Sequence, residues 1–82
     1  MNHFEQKNSA LEAAFQFADF KAAFAFMTEV AAVAETMHHH PEWKNIYNRV
    51  EIKLSTHDAG NIITEKDFLL AAAIEAIISK YY

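Results

Sequence analysis

The chain has 82 residues and a formal net charge of −4, with seven Lys and Arg against eleven Asp and Glu, and 52% of it is hydrophobic. So short a chain has no room for a nucleotide-binding α/β domain, a TIM barrel or two independent cores, and its expected radius of gyration of ~12 Å leaves any cleft shallow or shared with another subunit. The acidic balance excludes a generic nucleic-acid binder, the seven Phe, three Tyr and one Trp exclude disorder, and the lack of Cys excludes disulfides and thiolate metal sites.

Residues 2–6 predict a short edge strand, closed by a polar turn at Lys7-Asn8-Ser9. From Ala10 to Phe17 the odd positions Leu11, Ala13, Phe15 and Phe17 are apolar, with Glu12 and Gln16 between them. That period of two marks a half-buried strand, and the two segments read as a hairpin. Asp19 is a natural N-cap for a helix from Phe20 to about Met37, in which positions 20, 23, 24, 27, 30, 31, 34 and 37 form a continuous apolar stripe. A second stripe, Ala22, Phe26 and Val33, runs beside it, although a surface helix needs only one apolar face for its own sheet. Phe26 and Val33 are too large to leave in water without cost. The second face is therefore expected to pack on the same helix of another subunit, in a homodimer or homotetramer. The plainer alternative is a face of small residues with no partner.

The helix must stop before Pro41, which disfavours helical geometry at His40. Trp43 to Tyr47 reads as a shorter strand or an extended lead-in, with Asn48 as a candidate turn residue. Val50, Ile52 and Leu54 alternate with Arg49, Glu51, Lys53 and Ser55 as an amphipathic strand, and residues 56–61 form a loop. Thr64 opens the last helix with Asp67 in capping-box position, and Leu70, Ala73, Ile74, Ile77, Ile78 and Tyr81 are its predicted buried face. The order β-β-α-β-β-α predicts an α+β domain over residues 1–82, with two helices on one face of a four-stranded antiparallel sheet. The first ten residues lack a basic, apolar leader and no 18-residue uncharged apolar run exists, so a cytoplasmic protein without membrane contact is expected. One Gly and one Pro leave little linker material, and a domain with so few breakers leans on oligomerisation.

Four of the five His residues fall in two places, His38-His39-His40 before Pro41 and His57 after the long strand. Imidazole gives and takes protons near neutrality. The Pro41 restraint is expected to turn two neighbouring imidazoles into one cleft, and a helix C-terminus favours the protonated ring. The structural alternatives are dipole-compatible caps for the run, a surface position for His57 and a plain cap for Asp67. A zinc site needs spaced His pairs on one helix face, which are missing, so no metal is expected.

The run Glu35-Thr36-Met37-His38-His39-His40-Pro41-Glu42-Trp43, followed by Tyr47-Asn48, Leu54-Ser55-Thr56-His57-Asp58 and Thr64-Glu65-Lys66-Asp67, resembles the pterin-4a-carbinolamine dehydratase family. The likeness spans about residues 10–78. It departs in three places. The family's N-terminal helix has no counterpart and Asn2 stands near the first-strand Trp; His38 stands where Asp or Asn is usual; and the loop after His57 is about one residue longer, with Gly60 and Asn61 in place of paired glycines.

The resemblance implies dehydration of 4a-hydroxytetrahydrobiopterin to quinonoid dihydropterin in tetrahydrobiopterin recycling, by His acid/base catalysis and with no cofactor. It implies that His39, His40 and His57 surround the departing hydroxyl, with His57 and His39 as the acid/base pair and His40 orienting substrate and water. It further implies that backbone groups of His39, His40 and Pro41 and of Thr56, His57, Asp58 and Ala59 hold the pterin ring, and that Glu35 and Asp67 support the imidazoles. A tetramer built as a dimer of dimers is the family's usual assembly. The alternative reading is a non-enzymatic partner protein. Some relatives act as dimerisation cofactors of a homeodomain transcription factor through the same apolar helix, and here Phe26 and Val33 would do that work.

Overall fold

The computed structural model describes residues 3–82, so Asn2, in the expected first strand, lies outside the described residues. The elements are β1 (Glu5–Lys7), β2 (Ala10–Gln16), α1 (Phe20–Met37), β3 (Glu42–Ile46), β4 (Arg49–Leu54) and α2 (Glu65–Ile78), with a 3-10 turn over His57–Ala59. The strands form one antiparallel sheet in the order β1-β2-β4-β3, the α+β arrangement expected.

Alternation in the central strands sets the two faces of the sheet. Leu11, Ala13 and Phe15 of β2 pair with Leu54, Ile52 and Val50 of β4, so their buried side chains form matched rows under the helices. Glu12 and Lys53, Ala14 and Glu51, and Gln16 and Arg49 occupy the other face. Helix α1 starts where the Asp19 carboxylate accepts the Ala22 N–H at 2.9 Å. Helix α2 starts with the predicted Thr64–Asp67 capping box. It buries Leu70, Ala71, Ile74 and Ile78 in the common core, with Ile77 and Tyr81 at its margin.

The helix bounds of α1 match the sequence pattern, but its apolar face is rotated from the one expected. Phe26, expected to face a partner subunit, is fully buried with its ring 5.3 Å from Phe15 and 5.0 Å from Phe17. Val33 packs at the margin of the same core. The inward row is Ala23, Phe26, Val30 and Ala34, and the outward face carries Phe20 and Phe24, 46% and 52% exposed and stacked at 5.6 Å. Both rows have helical spacing, so periodicity cannot choose between them. The space left beside Phe15, Phe17 and Tyr81 does, because it admits one large ring.

Two turns are also tighter than expected. β1 extends through Lys7, which pairs with Ala10, leaving Asn8 and Ser9 as the turn, with Asn8 at a positive φ of 55°. Between β3 and β4 the positive φ, 49°, falls on Tyr47 rather than Asn48. Asn48 instead reaches across to β2, its side chain donating to the Phe17 carbonyl at 2.9 Å. Residues 80–82 are tied back to the body. Lys80 and Tyr81 both donate to Glu29 of α1, drawing that carboxyl below its usual value, and the Tyr82 hydroxyl accepts the Gln16 N–H at 2.9 Å. Among the described residues no helix is long and apolar enough to cross a membrane.

Candidate active site

Antiparallel pairing brings the two His-bearing stretches to one end of the sheet. Glu42, the first residue of β3, pairs with Lys53 near the end of β4. Residues 38–41, which lead into β3, and residues 55–57, which leave β4, therefore lie side by side. The first turn of α2 closes the same corner through Asp67.

Asp67 is fully buried and joins these segments. Its Oδ1 lies 2.6 Å from His39 Nε2, while its Oδ2 accepts the Thr56 hydroxyl and the Thr64 N–H, each at 2.8 Å. The Thr56 and Thr64 hydroxyls touch at 2.6 Å. A buried carboxylate is costly unless donors surround it, and this one has two on Oδ2, the His39 ring against Oδ1 and the favourable N-terminal end of α2. His39 is only 9% exposed, so its ring is held rather than free to rotate.

The neighbouring imidazoles take different surroundings. Helix α1 ends at His38, which adopts the left-handed conformation (φ 53°) and donates its N–H to the Ala34 and Glu35 carbonyls. The chain thus reverses two residues before the position that Pro41 restrains. That reversal sends His39 inward to Asp67 and His40 outward, where its Nε2 lies 2.8 Å from Glu35 Oε1, both side chains being exposed. His57 is exposed in the 3-10 turn, with its Nδ1 3.1 Å from Asn61 Oδ1. Gly60 and Asn61, which stand in that loop in place of paired glycines, both have positive φ, 89° and 61°.

Pro41 is half-buried, and Asp58 and Ala59 are exposed beside His57. Several backbone groups in these stretches already have partners within the protein. The Thr56 N–H donates to Ile62, the Thr56 carbonyl accepts from Ala59 and Asn61, the His39 N–H donates to Ala34 and the His57 carbonyl accepts from Gly60. The side-chain roles of Thr56 and Asn61 escaped the sequence reading, because each partner is fixed by loop geometry. A cleft of about 350 Å³, lined in part by Glu42, Lys53, Ser55 and Asn61, adjoins this corner. A groove of about 660 Å³ lies over the charged face of the sheet, among Glu12, Lys44, Arg49 and Glu51, and none of the predicted site residues lines either cavity. Among the described residues, no group of three or more His, Asp or Glu is placed to hold a metal ion.

The family model for Pterin 4 alpha carbinolamine dehydratase matches residues 2–77. The chain belongs to the pterin-4a-carbinolamine dehydratase family. A relative from Rhizorhabdus wittichii, which carries the pterin-4-alpha-carbinolamine dehydratase name as a provisional assignment, is 51% identical over 74 residues, or 90% of this chain and 75% of the relative. The crystal structure of a transcriptional coactivator/pterin dehydratase from Brucella melitensis superimposes with a TM-score of 0.87 at 41% identity, covering 93% of this chain and 82% of that one. A pterin dehydratase-like protein described as a RuBisCO assembly factor in the alpha-carboxysome shares the fold with a TM-score of 0.72 at 25% identity, covering 92% and 86%. The fold is thus shared by proteins named for pterin dehydration and by proteins described by other roles.

Proposed function

We propose that this protein dehydrates a 4a-hydroxytetrahydropterin to the quinonoid dihydropterin, using its histidines as proton donor and acceptor. One observation carries the reading. The buried Asp67 takes His39 on one oxygen and Thr56, the residue before His57, on the other, so the two distant stretches that carry His39 and His57 meet at one carboxylate. The family match over residues 2–77 supplies the substrate class.

The reaction breaks the C4a–O bond, removes the proton from N5 and forms the N5=C4a double bond, releasing one water. Hydroxide leaves poorly, so an acid at the oxygen and a base at N5 lower the barrier together. His57 and His39 form that pair, and His40 orients the substrate and the departing water. Glu35, 2.8 Å from His40, and Asp67, 2.6 Å from His39, set the orientation of the two rings. The pterin ring is held by the backbone of His39, His40 and Pro41 and of His57, Asp58 and Ala59, whereas both backbone groups of Thr56 are already paired within the protein. The elimination is redox-neutral, and the side chains supply both proton steps without a cofactor. The reading is tested by stopped-flow absorbance of 4a-hydroxytetrahydropterin decay; a rate no faster than the buffer-catalysed one would refute it.

A second reading is favoured by the exposed, stacked Phe20 and Phe24 on α1. This face supports a homo-oligomer, dimer or tetramer, and equally a non-enzymatic role as a dimerisation partner; the structural relatives include proteins described as a transcriptional coactivator and as a RuBisCO assembly factor. Assembly without turnover would favour it. A partner-only protein, however, has no need of His39, His40 and His57 together.

A further inference from the structure

The corner around Asp67 also fixes where the protons sit. Each hydroxyl has one proton to give, and an ionised carboxylate only accepts. The Thr56 hydroxyl spends its one proton on Asp67 Oδ2 at 2.8 Å, so in the 2.6 Å contact between the two hydroxyls Thr64 is the donor and Thr56 Oγ1 the acceptor. The Thr64 N–H arrives on the same carboxylate oxygen at 2.8 Å. With both donors on Oδ2 and the positive end of α2 beneath it, Asp67 is an acceptor on both oxygens. The 2.6 Å contact at Oδ1 therefore requires a proton on His39 Nε2.

We propose that Thr64, Thr56 and Asp67 form a one-way hydroxyl–carboxylate relay that holds neutral His39 in the Nε2–H tautomer and leaves its Nδ1 as the proton-accepting nitrogen. Nδ1 has no partner among the described residues. No buried side-chain nitrogen or oxygen there lacks one, so Nδ1 reaches the solvent-accessible surface of the site. Thr56, Thr64 and Asp67 are positioning residues; they act through His39. Resting on the dehydratase reading, this makes His39 the group that starts as base, while the tautomer itself can be read without any substrate.

The test is long-range 1H–15N correlation of the imidazoles at about pH 8.5, above the ordinary imidazole range, with His39→Asn used to assign the His39 signals. The wild-type ring is expected to show a protonated Nε2 and a lone-pair Nδ1. In Asp67→Asn the side-chain oxygen keeps the Thr64 N–H and Thr56 hydroxyl. The amide nitrogen then donates to His39 Nε2, the ring proton moves to Nδ1 and the signature inverts. Turnover in that variant is expected to fall by about 10²–10⁴-fold, the range for a lost acid/base or a wrong tautomer. Thr56→Val removes one of the donors holding Oδ2 but leaves an accepting carboxylate, so it is expected to keep the Nε2–H tautomer while shifting the His39 Nε2 resonance, with Thr56→Ser restoring it. A wild-type Nδ1–H ring overturns the relay whatever the turnover. So does an unchanged tautomer in Asp67→Asn, or a His39 Nε2 resonance that Thr56→Val leaves in place. The expected wild-type signature in a protein without turnover supports the relay and refutes the dehydratase reading.

Discussion

Truncating two phenylalanines of α1 separates the core face from the outward face. Phe26 is fully buried and touches the rings of Phe15, Phe17 and Tyr81, whereas Phe24 is 52% exposed and stacks only on Phe20 among the aromatic rings described. Phe26→Ala leaves a cavity in a close-packed core and is expected to cost about 3–5 kcal/mol. A chain of 82 residues has a total stability of only about 4–12 kcal/mol. The loss is thus a large share of the whole, and the melting temperature should fall by more than about 12 °C. Phe24→Ala removes an exposed ring and should change monomer stability by no more than about 0.5 kcal/mol, while weakening any assembly built on that face. Urea denaturation gives the first quantity and sedimentation velocity the second. The reasoning fails if Phe26→Ala dissociates an oligomer but melts like the wild type. That outcome would mean the row read as core is the one facing a partner.

Further outcomes follow from the site and from the contacts of α2. His57→Ala should slow dehydration by about 10²–10⁴-fold without altering the circular dichroism spectrum, since His57 is exposed in a short turn; unchanged turnover would remove it from the chemistry. Burial alone would raise the Glu75 carboxyl. Hydrogen bonds from the His3 ring and N–H and from the Phe4 N–H outweigh that and hold it below its usual value of 4.5. A carboxyl lowered by folding stabilises the protein above its unfolded value, and that contribution is lost as pH falls through the lowered value. The gap in urea midpoint between wild type and Glu75→Gln should therefore be full well above the usual value of 4.5 and close as pH falls through the lowered value; a gap that is constant with pH contradicts the assignment. Zinc or a chelator should leave the melting temperature unchanged, and a rise with zinc would point to a metal site among the histidines.

Much of this protein is legible in its linear pattern, because local forces write it there. The period-two alternation of Leu11, Ala13 and Phe15, the Asp19 cap and the Thr64–Asp67 capping box each depend on residues a few positions apart, and each appears in the structure as expected. The order of elements and the family resemblance were readable for the same reason. What the sequence leaves open are choices between equivalent local patterns. Two helical rows in α1 have the same spacing, and only the ring-sized space beside Phe15 and Phe17 turns Phe26 inward and leaves Phe20 and Phe24 outside. The His run likewise carries no direction of its own; the left-handed turn at His38 sends His39 to a buried carboxylate and His40 to an exposed one. The partnership of His39 with Asp67, 28 positions along the chain, exists because β3 and β4 pair antiparallel and α2 begins at that corner. Short-range preferences fix the elements. Which faces and side chains meet depends on how those elements fill a common volume.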